Sequence, residues 1–369
     1  MLFSLPLNGV KSYGDFWNFY HLASLGQPFR DIWVEFPPLF PYLSRGIYLL
    51  VGGKEHAYIY LSVILFSFIQ GCSLYVFQLL AEEIWSSEGG FERTLIYAML
   101  VLGLFYGWTY FDPLAVFLML LGLLSAIKSR ASVAGGVLGL GALVKWFPIL
   151  VIPSIWKWLD PRKALRLTIT AVAVVAVIWG ALFLIHPNLT RASLISQGAK
   201  GSWESVWAIL DGNLHTGNFN PAADRNDPMT ASLQAGNPAL ISPWLTLVVF
   251  AGIGLFLFWK AEVQSVEQLI AFSGVTLVLF FIWSPGYSPQ WVLYLLPLVL
   301  LSFERSRSLL VSLVLLLTNL LEWPILLSRG YFQYLPGLIV LRTVLYLMVA
   351  LLFIEPLFAG GAPQRESHQ

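Results

Sequence analysis

Three carboxylates stand in the stretch SYGDFWNFYHLASLGQPFRDIWVEFPPLF: Asp15, Asp31 and Glu35. A carboxylate held among aromatic rings loses hydration, which raises its pKa and makes it a more capable proton acceptor near neutral pH. Asp15, between a glycine and FWNFY, fits that role; it also fits a solvated loop or a helix N-cap. Asp31 and Glu35 read as substrate-facing groups or as surface charges, with Arg30 available to either.

Asp112 opens FDPLAVFLMLLGLL, where Asp before Pro is an ordinary helix start and a second role in orienting a substrate stays open. Lys145 lies in the apolar hairpin ASVAGGVLGLGALVKWFPILVIPSIWK. An ammonium there costs roughly 2.5–3.5 kcal/mol on insertion scales, so it needs a phosphate, a carboxylate or the membrane interface. Trp203, Glu204, Trp207, Asp211, Asn213 and His215 crowd the stretch GSWESVWAILDGNLHTGNFNP. Aromatic faces beside amide, carboxylate and imidazole groups can stack on a sugar and hydrogen-bond to it. The same stretch also fits an amphipathic helix near 202–210 resting on a bilayer. His215 fits a base, a phosphate contact or a plain loop residue. Tyr287 and Gln290, in SPGYSPQW at the head of a later apolar run, read as candidate substrate contacts, and Glu322 with Arg342 suits a structural ion pair between the last two helices.

The elements that must position these groups follow from composition. Of the 369 residues 57% are hydrophobic and only 11% charged, against roughly 25% charged in a soluble domain. The chain therefore reads as a polytopic integral membrane protein, all-α. Lys+Arg number 21 and Asp+Glu 20, so no global field recruits nucleic acid. Cys72 is the only cysteine, which rules out an intrachain disulfide or a cysteine metal cluster. Walker A, HExxH, GxSxG and a GxGxxG at a strand–helix junction are all missing, and neither metal nor cofactor is expected. MLFSLPLNGV is too short for a cleavable signal peptide.

A hydrocarbon core of roughly 30 Å asks for about 20 apolar residues. Runs near 57–80, 94–108, 112–128, 164–185, 241–259, 266–284, 288–303, 309–328 and 336–357 qualify. With the hairpin broken at Lys145 and Pro148, this predicts about nine to eleven transmembrane helices. Residues 36–52, holding Pro37, Pro38, Pro41 and Arg45, read as a segment dipping into the membrane. Lys and Arg concentrate in alternate short turns, which puts those turns in the cytoplasm. The first loop, 11–56, and the 55-residue loop 186–240 then lie outside with the chemistry-bearing residues. The chain reads as one membrane domain, 1–369.

The order of an aspartate in the first outer loop, EFPPLF, FDPLAVFLMLLGLL, AGGVLGLGALVKWFPILVIP and finally SPGYSPQW resembles the GT-C superfamily of membrane glycosyltransferases. Glycosyltransferase family 87, the polyprenol-phosphate-mannose-dependent mannosyltransferases, is the family it is most similar to. The resemblance covers the layout of most of the chain. It implies a GT-C-like fold and a bacterial cytoplasmic (inner) membrane enzyme with its active site on the outer side. The donor would be a polyprenyl-phosphate sugar and the acceptor a lipid or glycan, among membrane lipids. It also implies Asp15 as general base, with Lys145, helped by His215 or Arg30, on the leaving phosphate. The family carries a full transmembrane helix ahead of this loop. With 14 residues before Asp15, either a start further upstream or a short first helix is expected. A lipid or glycan transporter is the alternative, because broken helices and midplane charges occur there too; no repeat between the chain's halves supports it.

Overall fold

The computed structural model describes residues 15–104, 106–214 and 217–358. Helices account for the regular structure among them, with strand-like pairing limited to isolated bridges. Among the described residues, six helices are long and apolar enough to cross a membrane: α3 (Glu55–Glu82), α8 (Pro161–Ile185), α11 (Pro243–Lys260), α12 (Val266–Trp283), α14 (Arg305–Leu327) and α15 (Phe332–Phe358). Four apolar helices are shorter: α5 (Asp112–Ile127), α6 (Ala131–Val144), α7 (Phe147–Trp158) and α13 (Pro289–Ser302). Against the nine to eleven transmembrane helices expected, six reach spanning length among the described residues, and the runs expected at 112–128 and 288–303 form shorter apolar helices. The expected span at 94–108 is instead α4 (Ser87–Leu102), which starts earlier at a Ser86 cap. The remaining helices are α1 (Phe16–Leu25), α2 (Leu39–Leu50), α9 (Pro187–Ser196) and α10 (Val206–Asp211), with short helical turns at Tyr106–Thr109 and Pro228–Ser232. The six residues of α10 are all that forms of the helix expected near 202–210.

The hairpin breaks where the sequence said it would. Lys145 is fully extended (φ −158°, ψ 141°) between α6 and α7, and Pro148 sits in the first turn after the break. Glycines let α6 lie directly against α8: a Cβ on Gly135 would stand 2.2 Å from the Leu167 carbonyl oxygen, and one on Gly139 would stand 2.8 Å from that of Ala171. The shared spacing of four means the two helices run parallel, so α7 must return between them. Small residues at such a crossing let backbones approach within a membrane. Gly135→Leu is expected to lower the melting temperature in detergent sharply, since overpacking a filled contact costs about 1–3 kcal/mol or more. Gly136→Ala, where no atom lies within 4 Å of the new Cβ, should leave melting close to the parent in the same scan.

Charges divide by end. At one end, ion pairs Lys128–Glu83, Arg305–Glu92 and Arg307–Glu355 tie adjacent turns together. There Arg93, stacked over Trp85, donates to the carbonyls of Leu300 and Phe303 and so caps α13. At the other end the two long loops interlock. The Trp33 indole donates to the carbonyls of Asp224 (2.8 Å) and Asp227 (3.2 Å), and the Val34 amide donates to the Ser193 hydroxyl (3.0 Å). This double loop roofs the site.

Candidate functional site

Beneath the roof lies a cavity of about 720 Å³, with walls from α1, the Glu35 segment, the α5 start, the Lys145 break, the loop 186–240 and the head of α13. Of the residues singled out by sequence, it gathers Asp15, Glu35, Lys145, Trp203, Glu204 and Gln290.

Asp15 precedes the first turn of α1, yet its side chain makes no capping bond; its carboxylate accepts from Asn18 Nδ2 at 3.0 Å and faces the cavity. Burial pushes its pKa above the usual aspartate value, with Glu35 and Asp112 adding repulsion; Asn18 and Lys200 offset part of the rise.

Burial alone would also raise Glu35, but the Arg225 guanidinium and the Lys200 ammonium outweigh it and hold the carboxyl below its usual range. Arg225 grips Glu35 with both arms, at 2.6 and 3.3 Å, and Lys200 stands 3.9 Å away. Rings support both cations: Arg225 lies over Trp33 at 4.2 Å and Lys200 over Phe219 at 4.5 Å. A lowered folded-state pKa contributes stability above the unfolded value, lost as pH falls through the folded one. The roof should therefore resist limited proteolysis at neutral pH and yield only in acid below the usual glutamate range. In Arg225→Gln, cleavage within 186–240 should appear already at neutral pH.

The Lys145 ammonium meets Asp112 at 2.6 Å, and that carboxylate side chain is wholly buried while Lys145 keeps 16% exposure toward the cavity. Phe111, Phe147, Trp291 and Tyr294 ring the cation at 4.9 to 5.9 Å. Asp112 thus serves the site from behind Lys145 and does not line it.

Trp203 is fixed edge and face. Gly217 and Gly286 press so close that a Cβ would meet the indole at 2.5 and 2.3 Å. Glu204 follows with a left-handed backbone (φ 50°), unusual for a side chain with a Cβ. Burial and the neighbouring Glu322 raise the Glu204 carboxyl well above the ordinary glutamate value, against the pull of Arg342.

The other expected residues sit elsewhere. Asp31 accepts from the Gln27 amide at 2.8 Å and closes a turn; Arg30 pairs with it at the exposed surface. Asp211 accepts from the Ser202 hydroxyl (2.6 Å) and the Leu240 amide (2.7 Å), fastening the loop. Tyr287 is buried against Tyr346, hydroxyl to hydroxyl at 2.5 Å. His215 lies outside the described residues. Glu322 and Arg342 do form an ion pair joining α14 and α15.

Sequence reasoning missed Lys200, Arg225 and Phe219. One signal pointed to them: Glu35, between apolar neighbours, required a cation, and few cations exist in the two long loops.

No family model matches the chain, and no curated protein matches it.

Proposed function

We propose that this protein is a membrane glycosyltransferase of the GT-C type, resembling family 87. In this reading it moves a hexose, mannose by that resemblance, from a polyprenyl-phosphate carrier to a hydroxyl of a lipid or glycan acceptor. The observation that carries the reading is the cavity itself: one partly desolvated aspartate faces it together with the cations Lys145, Lys200 and Arg225. Asp15 takes the acceptor's hydroxyl proton as that oxygen bonds to the anomeric carbon. The bond from the anomeric carbon to the phosphate oxygen breaks, and polyprenyl phosphate departs with the electron pair. A single displacement inverts the anomeric centre. Fixed cations lower the barrier by meeting the charge that develops on the leaving phosphate; Lys145, the deepest of the three in the helical bundle, suits a phosphate held at headgroup level.

Two further features support a lipid-linked donor. Between α7, α11 and α12 runs a groove of about 630 Å³ walled almost entirely by apolar side chains, among them Trp156, Phe250 and Phe258, which suits a prenyl tail. The basic turns occupy the end of the bundle away from the cavity, as the positive-inside rule requires of an outward-facing site.

The test is transfer of radiolabel from polyprenyl-phosphate mannose, glucose and arabinose into membrane extracts containing the protein. Label should move from one donor into a product with inverted anomeric configuration. Folded protein that transfers none of the three sugars would sink the reading.

A further inference from the structure

Glu204 is 5% exposed, lines the cavity and has one carboxyl oxygen, Oε2, fully buried without a hydrogen-bond partner. Its backbone sits in the left-handed region, where a residue with a Cβ is strained. What holds it there comes from the membrane helices. Arg342 of α15 places one guanidinium arm on the Glu322 carboxylate and the other on the Glu204 carbonyl oxygen. The guanidinium plane lies over the Tyr287 ring at 3.6 Å. Glu322 itself sits in a π-helical turn, Leu321–Leu327, interrupted by Pro324, and the next residue, Trp323, forms part of the cavity wall. Inserted π-turns of this kind concentrate at functional sites.

Building on the transferase reading, we propose that Glu204 is a second substrate-contacting carboxyl of the cavity and that the buried Glu322–Arg342 pair is the device that positions it. The groups facing Glu204 are Glu322, Arg342, Tyr106 and Tyr110. Arg342 is the only cation among these, and it is engaged by Glu322 and by the Glu204 backbone, leaving the carboxyl itself without a charged partner. Held so, the group keeps its proton at neutral pH and offers an O–H to an oxygen of the bound sugar or acceptor. Asp15 and Glu204 then divide the work: one accepts a proton, the other donates a hydrogen bond.

The first test needs no turnover. Dicyclohexylcarbodiimide adds to protonated carboxyls in apolar surroundings, and the adduct is located by mass spectrometry of the full chain in detergent. At pH 7.5 Glu204 should be labelled and Glu35, clasped by two cations, should not. Arg342→Lys keeps a cation for Glu322 but lacks the fork that reaches both partners. It should melt near the parent yet lose at least fivefold of the Glu204 adduct. If Arg342→Lys does not fold, Glu322→Gln/Arg342→Gln, which removes both charges together, replaces it with the same expectation. An unlabelled Glu204 in the parent overturns the neutral carboxyl; equal labelling in the clamp variant overturns the positioning role. In the transfer assay, Glu204→Gln, which keeps a donor, should exceed Glu204→Ala about tenfold; equal rates would overturn substrate contact. A parent that labels at Glu204 but transfers no sugar would refute the transferase reading and the substrate contact, and would leave the clamp standing.

Discussion

Asp15→Asn is expected to lower sugar transfer by about 100-fold or more, the range removed when a positioned general base is lost. The amide keeps the shape and the contact with Asn18 but accepts no proton from the acceptor hydroxyl. Two accompanying results separate a base from a structural residue. In the parent, kcat/KM should rise with pH through a midpoint above the usual aspartate range, because burial holds the Asp15 proton more tightly. A raised folded-state pKa also means that the ionised carboxylate opposes folding: the stability contributed by the protonated carboxyl is fully present below the unfolded pKa and is lost as pH rises through the folded one. Asp15→Asn should therefore melt at or above the parent temperature at neutral pH while transferring little. Loss of transfer with a collapse in melting would instead mark Asp15 as structural, and undiminished transfer would move the base to another carboxyl.

Lys145→Met should give the largest fall in stability of any single cavity substitution. It strands Asp112, whose side chain is fully buried, without the ammonium at 2.6 Å. Breaking one side of a buried pair costs about 3–5 kcal/mol, whereas replacing both partners by uncharged groups is often neutral. Asp112→Asn combined with Lys145→Met should recover most of the lost melting temperature and still transfer poorly, because the deepest cation is gone. Recovery of stability without recovery of transfer is the result that gives Lys145 work beyond its ion pair. If the single variant melts like the parent, the pair carries no structural weight.

Local chemistry explains why some of this could be read from the sequence. The break at Lys145 was legible because a charge and Pro148 interrupt a glycine-rich apolar run, and the Glu322–Arg342 pair because both lie at similar depth in neighbouring spans. Helix bounds were legible to within a turn for runs such as Pro161–Ile185, whose ends are set by the Asp160 cap and by the break at His186. The roof was not. Arg225 meets Glu35 across 190 residues of chain, and Trp33 meets Asp224 across 191, contacts that no periodicity encodes. Tyr287 misled for a related reason: its place in a motif-like turn made it a candidate substrate contact, but the partner that buries it, Tyr346, comes from the final helix. Asp31 looked like Asp15 in sequence, yet it is held at the exposed surface by the Gln27 amide and Arg30 and lies away from the cavity.

Trp203 between Gly217 and Gly286 has a consequence for descent. The ring fills the space that two side chains would otherwise occupy, one in the long loop and one at the head of α13. A lineage that trades the indole for a small residue opens a void and releases both glycines from constraint at once; a lineage that keeps it can change neither. These three positions, 83 residues apart at the extremes, form one heritable unit, and among related chains they are expected to vary together or not at all.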